Sequence, residues 1–141
     1  MERMNITKEK IIDIVKQIPT AAEKEKWVFT LDNDENVLFY APATTPDKTE
    51  LFQVTDEYAL YLDNKFNPRG VMIEYYGINF IKHHPEFGKI TKKIFKKVKK
   101  KKIGIVNPRN RKNSEITIFK SLLEKTLLSD AVQEPLVSLS K

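Results

Sequence analysis

The first twenty residues carry apolar side chains at helical spacing. Thr7 is a suitable N-cap, and Ile11 and Ile18 lie on one face of a predicted helix over residues 8–18. Pro19 is expected to close this helix, because the residue before a proline disfavours the helical conformation. We interpret the segment as an N-terminal helix that packs on the rest of the fold.

Residues 27–76 follow instead the two-residue period of β-strands. Apolar and polar positions alternate in short runs, which are separated by the turn-rich stretches DNDEN, APATTPD and DNKFNPRG. The runs are residues 27–31, 37–41, 51–54, 58–62 and 71–76. This pattern predicts an antiparallel β-meander of four to five strands, and the run IGIV at 103–106 fits one more short strand.

A second helix is predicted in KITKKIFKKVKKKK, residues 89–102, which has nine lysines in fourteen positions. Ile90, Ile94 and Val98 recur every fourth residue and form an apolar stripe. The opposite side of the helical wheel carries Lys89, Lys92, Lys93, Lys96 and Lys100. Lys101 falls within the stripe, so we expect this basic amphipathic helix to end there.

A last helix is predicted after a cap at Asn113 or Ser114, with Phe119 and Leu127 on its apolar face. The residues from about 130 onward lose this periodicity and contain a proline, which predicts a poorly ordered tail. The sequence therefore predicts a single α+β domain over residues 1–129, with a basic segment at 82–112 and a tail at 130–141.

Composition agrees with a globular domain. The chain has 141 residues, of which 40% are apolar and 31% charged, and this is enough for one hydrophobic core. It has no cysteine, which excludes disulfides, thiolate metal sites and cysteine nucleophiles. Its apolar runs are too short for a bilayer span or a signal-peptide core, so a cytoplasmic protein without an integral membrane segment is expected.

The net charge of +6 is unevenly distributed along the chain. Residues 1–81 carry nine Lys/Arg and fourteen Asp/Glu, residues 82–112 carry thirteen and one, and residues 113–141 carry three and four. The basicity therefore belongs to one segment. A basic strip on a mildly acidic body indicates a polyanionic partner more strongly than uniform basicity would.

The lysine spacing suggests a use for this charge. Lysines four residues apart in a helix repel each other by about 0.2–0.5 kcal/mol per pair, a cost that alternating glutamates would have avoided. We predict non-catalytic, largely sequence-independent binding of a polyanion, most naturally the phosphate backbone of nucleic acid. The predicted contact residues are Lys89, Lys92, Lys93, Lys96, Lys97, Lys100, Arg109, Arg111 and Lys112.

Three other interpretations fit the same lysines. The segment can be a solvated helix face without a function, or it can dock an acidic protein partner. If its apolar stripe is exposed rather than packed, the helix suits an anionic membrane surface. The direction in which Ile90, Ile94 and Val98 point distinguishes the nucleic-acid interpretation from the membrane one.

No other residue group in the sequence indicates a chemical site. His83 and His84 are the only histidines; neighbouring side chains on a helix diverge by about 100°, and no third ligand is suitably spaced, so no metal site is predicted. The strand tyrosines are expected to fill the core or pack on the sheet rather than to stack on bases. The chain lacks a nucleophile elbow, a phosphate loop and a dinucleotide fingerprint, so neither catalysis nor a cofactor is predicted.

The stretches TLDNDENVLFY, VTDEYALYLDNKFNPRG and VMIEYY, all within residues 27–76, resemble a family of small bacterial β-meander proteins of unknown function. Some members of that family are encoded beside toxin genes. The resemblance implies a small regulatory or interaction protein, such as an antitoxin-like, immunity-like or adaptor-like partner. Nuclease inhibitors usually mimic an acidic substrate, so a contact of that kind would fall to the acidic residues 1–81.

Overall fold

The computed structural model describes residues 6–44, 48–96, 102–109 and 114–133. The fold is α+β, with a six-stranded antiparallel sheet. Its helices are α1 (Lys8–Lys16), α2 (Ile18–Lys24), α3 (Ile81–His83), α4 (Glu86–Ile94) and α5 (Ser114–Gln133), with a π-helical turn at Tyr76–Phe80. Its strands are β1 (Val28–Asp32), β2 (Val37–Ala41), β3 (Glu50–Gln53), β4 (Tyr58–Leu62), β5 (Pro68–Ile73) and β6 (Ile103–Val106).

The N-terminal helix begins as predicted but ends earlier. The side-chain oxygen of Thr7 accepts a hydrogen bond from the backbone N–H of Lys10 at 3.1 Å, so Thr7 is the N-cap. The prediction that Pro19 closes the helix is wrong. The chain turns at Gln17, and Pro19 lies in the first turn of α2, where its missing N–H costs nothing because those donors have no helical partner.

The hairpin of β1 and β2 confirms the first predicted turn. Its register pairs Val28 with Ala41 and Asp32 with Val37. The carboxylate of Asp32 accepts hydrogen bonds from two backbone N–H groups of the turn, both at 3.0 Å. Asn36 then adopts a φ of 57°, a left-handed conformation that asparagine tolerates better than most residues. The stretch DNDEN thus closes the hairpin through side-chain hydrogen bonding.

The predicted meander is wrong in strand order, and the sheet has one strand more than the four to five given to the meander. The order across the sheet is β3-β4-β5-β2-β1-β6, which counts the strands of the described ranges. The chain crosses from β2 to the far edge, returns through β3, β4 and β5, and places β5 beside β2, which is a Greek-key arrangement. The run 103–106 does form a strand, β6, and pairs antiparallel with β1 at the other edge.

The strand predicted at residues 71–76 lies three residues earlier, at Pro68–Ile73. Strand β5 ends at Ile73, because Tyr75 adopts a φ of 51° and begins the π-helical turn. The prediction that tyrosines fill the core or pack on the sheet is confirmed for Tyr40, Tyr58 and Tyr76, which are all buried. Tyr75 is 56% exposed and lies outside the strand.

Helix α5 closes the core over one face of the sheet. The fully buried ring of Phe119 packs edge-on against Phe29 of β1, with 4.9 Å between ring centroids. Two buried tyrosines of the sheet reach the same helix: Tyr40 donates to Glu124 Oε2 at 2.9 Å and Tyr58 donates to the carbonyl of Leu127 at 2.6 Å. Burial raises the pKa of both tyrosines, so both hydroxyls stay protonated as donors.

Helix α5 is longer than the sequence indicated. It continues to Gln133, and Ala131 in its last turn is completely buried. The predicted boundary at residue 129 therefore falls inside the helix, because a buried alanine gives less of an apolar signal than the leucines before it. The rest of the predicted tail, 134–141, lies outside the described residues.

Candidate functional site

The basic helix α4 is fixed on the protein by its aromatic side. Phe87 is fully buried, and Thr91 and Phe95 are nearly so. The rings of Phe87 and Phe95 lie 5.8 and 6.4 Å from the ring of Phe119 in α5. The Thr91 hydroxyl shares a buried hydrogen bond of 2.7 Å with the hydroxyl of Tyr76, which satisfies both polar groups inside the core.

The apolar stripe of α4 faces the core. Ile90 and Ile94 are half-buried and pack against the hydrophobic cluster, while Val98 lies outside the described residues. The helix is shorter than predicted: it ends at Ile94, with Phe95 as its C-cap, rather than near Lys101. The most buried side chains within the helix are Phe87 and Thr91. The predicted Ile90 and Ile94 are only half-buried beside them.

The lysines of α4 occupy its exposed side. Lys89, Lys92 and Lys93 are all exposed, and Lys96 is exposed just past the end of the helix. We call these four residues the basic face. Lys93 lies 3.4 Å from the carboxylate of Glu115 at the start of α5, an ion pair on the surface that leaves the Lys93 side chain 63% exposed.

Of the other predicted contact residues, the structure describes Arg109 alone. Arg109 is exposed in a turn after β6, where the side chain of Asn107 accepts a hydrogen bond from the Arg109 backbone N–H at 2.9 Å. Lys89, Lys92, Lys93 and Lys96 thus lie together on or next to α4, and Arg109 lies in the turn that follows β6. The predicted residues outside the described ranges are Lys97, Lys100, Arg111 and Lys112.

A second group of side chains converges where the β3–β4 turn, the end of α3 and the last part of α5 meet. His84 Nε2 lies 2.9 Å from Glu57 Oε1 and 3.3 Å from Asp130 Oδ2. His83 Nδ1 lies 2.8 Å from the other carboxylate oxygen of Glu57. We call Glu57, His84 and Asp130 the His–carboxylate cluster. Their side chains are 11%, 19% and 14% exposed, respectively, so the cluster is shielded but within reach of solvent.

Local structure positions the first two members of the cluster. The buried hydroxyl of Thr55 accepts a hydrogen bond from the backbone N–H of Glu57 at 3.0 Å and fixes the turn. His84 has φ −130° and ψ 71°, outside the helix, because it precedes Pro85. Its imidazole ring lies 4.5 Å from the ring of Phe80, which restricts the ring's rotation.

The electrostatics of the cluster favour an ionised Glu57. Burial alone would raise the pKa of Glu57, but its hydrogen bonds with His84 and His83 and their charges hold that pKa below its ordinary value. Asp130 adds a second carboxylate on the same nitrogen of His84. Two carboxyl groups therefore converge on one imidazole nitrogen.

One premise of the prediction of no histidine site does not hold in the structure. The premise was a continuous helix, in which His83 and His84 would point apart, yet His84 precedes Pro85 and leaves the helical conformation, with φ −130° and ψ 71°. Both rings then reach the same carboxylate through different oxygens. Glu57 and Asp130 lie 27 and 46 residues away from His84, so no local spacing could have indicated them. The one available signal was the pair of histidines directly before a proline.

No protein-family model, curated protein or solved structure matches this chain. The resemblance of residues 27–76 to the small bacterial family therefore stays a prediction. None of the helices in the described residues is long and apolar enough to cross a membrane.

Proposed function

We propose that this protein binds polyanions without catalysing a reaction, and that its partner is the phosphate backbone of nucleic acid. The observation that carries the proposal is the orientation of α4. Its apolar side chains are used to dock on the core, and its exposed side presents Lys89, Lys92 and Lys93, with Lys96 following. The helix thus holds several cations at one surface on a rigid support.

The chemistry of the basic face sets the kind of recognition. A lysine ammonium is a point charge that attracts phosphate but reads little base information, so binding is expected to depend weakly on sequence. Four lysines, with the further cations of residues 97–112, would neutralise about 4–6 phosphates. The logarithm of the binding constant should then fall with the logarithm of salt concentration at a slope of about −4 to −5.

The orientation of α4 also bears on the membrane alternative. Insertion into a bilayer surface requires an exposed apolar stripe beside the cations. Ile90 and Ile94 pack instead against the core, and Phe87 and Phe95 are buried. Contact with an anionic membrane would therefore have to be purely electrostatic.

The first prediction concerns the basic face itself. Changing Lys92, Lys93 and Lys96 together to Gln should weaken nucleic-acid binding and reduce the salt slope by about 2–3, because three cations no longer displace counterions. Fluorescence-anisotropy titration with duplex DNA and with single-stranded RNA, at about 50 and about 200 mM salt, measures both quantities. The wild type should bind with a Kd in the micromolar range at the lower salt concentration.

The matched control removes the same charge elsewhere. Lys10, Lys24 and Lys65 are exposed on α1, on α2 and in the β4–β5 turn, and changing them together to Gln should leave the salt slope nearly unchanged. Equal losses in the two triple variants would mean that net charge rather than the basic face governs binding. Absence of wild-type binding at the lower salt would refute the proposal.

A second candidate function is supported by the other face of the sheet. Leu51 of β3 and Ile103 and Ile105 of β6 are 47%, 49% and 64% exposed, and Phe39 and Met72 between them are half-buried. Contiguous exposed apolar side chains are typical of a surface that contacts another protein, and Ile103 and Ile105 adjoin on the edge strand β6. A protein-partner module would use this face, and its binding should be insensitive to the lysine changes above.

A further inference from the structure

We propose that Glu57, His84 and Asp130 form a binding site for a divalent transition-metal ion, with Zn²⁺ as the best fit. The site is separate from the basic face and does not rest on the proposed function. It would join the β3–β4 turn, the residue after α3 and the last part of α5 through a single ion.

The distances in the cluster fit a coordination shell. One donor atom from each residue can be chosen so that all three lie within 4.8 Å of one another. A tetrahedral zinc ion with ligands at about 2.0–2.1 Å holds its donor atoms about 3.3 Å apart. His84 Nε2 is 3.3 Å from Asp130 Oδ2 and 2.9 Å from Glu57 Oε1, so the second pair needs to open by only a few tenths of an ångström.

The charge of the cluster also fits a cation. Glu57 and Asp130 bring two carboxyl groups to one point, opposite a single imidazole nitrogen. A bound metal would take the lone pair of His84 Nε2 and one oxygen from each carboxyl group. Two carboxyl groups beside the ion suit the charge of a dication.

Neighbouring groups hold the ligands in a suitable orientation. His83 Nδ1 contacts Glu57 Oε2 at 2.8 Å, which leaves Glu57 Oε1 directed at His84. The carboxylate of Glu86 lies 4.0 Å from His84 Nδ1, on the side of the ring away from the cluster. That distance is too long for a hydrogen bond, so Glu86 does not fix the tautomer of the ring directly. The ring of Phe80 limits the remaining rotation of the imidazole.

The donor set selects the class of metal. One imidazole nitrogen with two carboxylate oxygens suits a borderline ion such as Zn²⁺ and suits Mg²⁺ or Ca²⁺ poorly, because those ions prefer six or more oxygen ligands. Three protein ligands leave the fourth tetrahedral position to water or to another ligand. An ion held in this way would stabilise the docking of α5 against the sheet.

The test uses the untagged full chain, treated with a chelator and then titrated with Zn²⁺ by isothermal calorimetry, and with Co²⁺ by visible absorption. We expect one ion per chain, a higher Tm with Zn²⁺ than without it, and the absorption of tetrahedral Co²⁺. Mg²⁺ should produce no comparable rise in Tm. His84→Gln, Glu57→Gln and Asp130→Asn should each weaken Zn²⁺ binding at least tenfold.

Controls separate the cluster from adventitious binding. Asp56→Asn changes the exposed carboxyl group next to Glu57 and should leave Zn²⁺ affinity unchanged. Far-UV circular dichroism identifies any ligand variant that fails to fold, and the Co²⁺ spectrum of the wild type then tests the coordination independently. Zn²⁺ binding that survives all three ligand changes, or a wild type that binds no Zn²⁺, would overturn the proposal.

Discussion

Asp63 holds the turn between β4 and β5 through both oxygens of its carboxylate. Oδ1 accepts hydrogen bonds from the backbone N–H groups of Lys65 and Asn67 at 2.8 and 2.9 Å. Oδ2 accepts one from the Asn67 side chain at 3.2 Å and lies 3.9 Å from the guanidinium of Arg69. Burial alone would raise the pKa of Asp63, but these donors and the charge of Arg69 lower it below its ordinary value.

This shift predicts a pH-dependent contribution of Asp63 to stability. Because its folded pKa is lowered, the stabilisation is present above the unfolded pKa of about 3.9 and is lost as the pH falls through the folded pKa. Urea unfolding should show Asp63→Asn less stable than wild type near neutral pH, with a difference that shrinks below about pH 4. Asp13→Asn, an exposed change in α1, is the control. A difference between wild type and Asp63→Asn that does not change with pH would contradict the assignment.

At the scale of elements, Gly70 lets β5 pass close to its neighbours. It pairs with Tyr61 beside an irregularity in the β4–β5 register. A Cβ atom at residue 70 would lie 2.9 Å from Ala41 Cβ and 3.2 Å from a ring carbon of Tyr61. The short alanine side chain of β2 cannot rotate away, so the strands themselves would have to move apart.

Two glycine substitutions should therefore change stability in opposite directions. Gly70→Ala should destabilise the fold by about 1–3 kcal/mol through this steric overlap. Gly88→Ala in α4 meets only Ile81 at 3.6 Å, an ordinary contact, and should stabilise by about 0.5 kcal/mol because alanine favours the helix. Chemical denaturation of the two variants beside wild type measures both. Equal effects would show that packing at residue 70 is looser than the structure indicates.

The sequence predicted these elements better than it predicted their order. Alternation in 58–62 and the DNDEN turn were sufficient to find β4 and the first hairpin, since both depend on neighbouring residues. The position of β3 at the far edge is set by which surfaces the sheet buries, and the local pattern of residues 51–54 does not contain that information. Likewise, the period of α4 predicted which side carries lysines but not where the helix ends. Ile94 is its last residue, and the next side chain, Phe95, is buried in the core.

At the scale of the whole molecule, both proposed sites depend on α5. Glu115 in its first turn pairs with Lys93 of the basic face, and Asp130 near its end belongs to the His–carboxylate cluster. Neither contact was predictable from the sequence, because each joins segments that are distant along the chain. Phe119 lies between them and packs on rings from β1 and α4, so the docking of α5 places both sites at once.

The last prediction tests that common dependence. Phe119→Ala should reduce the free energy of unfolding by about 3–5 kcal/mol, because it removes a fully buried ring and leaves a cavity between α4, α5 and the sheet. Ile118→Ala, which changes a neighbouring side chain that is 56% exposed, should stay within about 0.5 kcal/mol of wild type. Urea unfolding followed by Trp27 fluorescence and by far-UV circular dichroism should give the same midpoint, since Trp27 belongs to the same core. If the two probes separated in Phe119→Ala, α5 would unfold independently of the sheet, and the two sites would not share a common support.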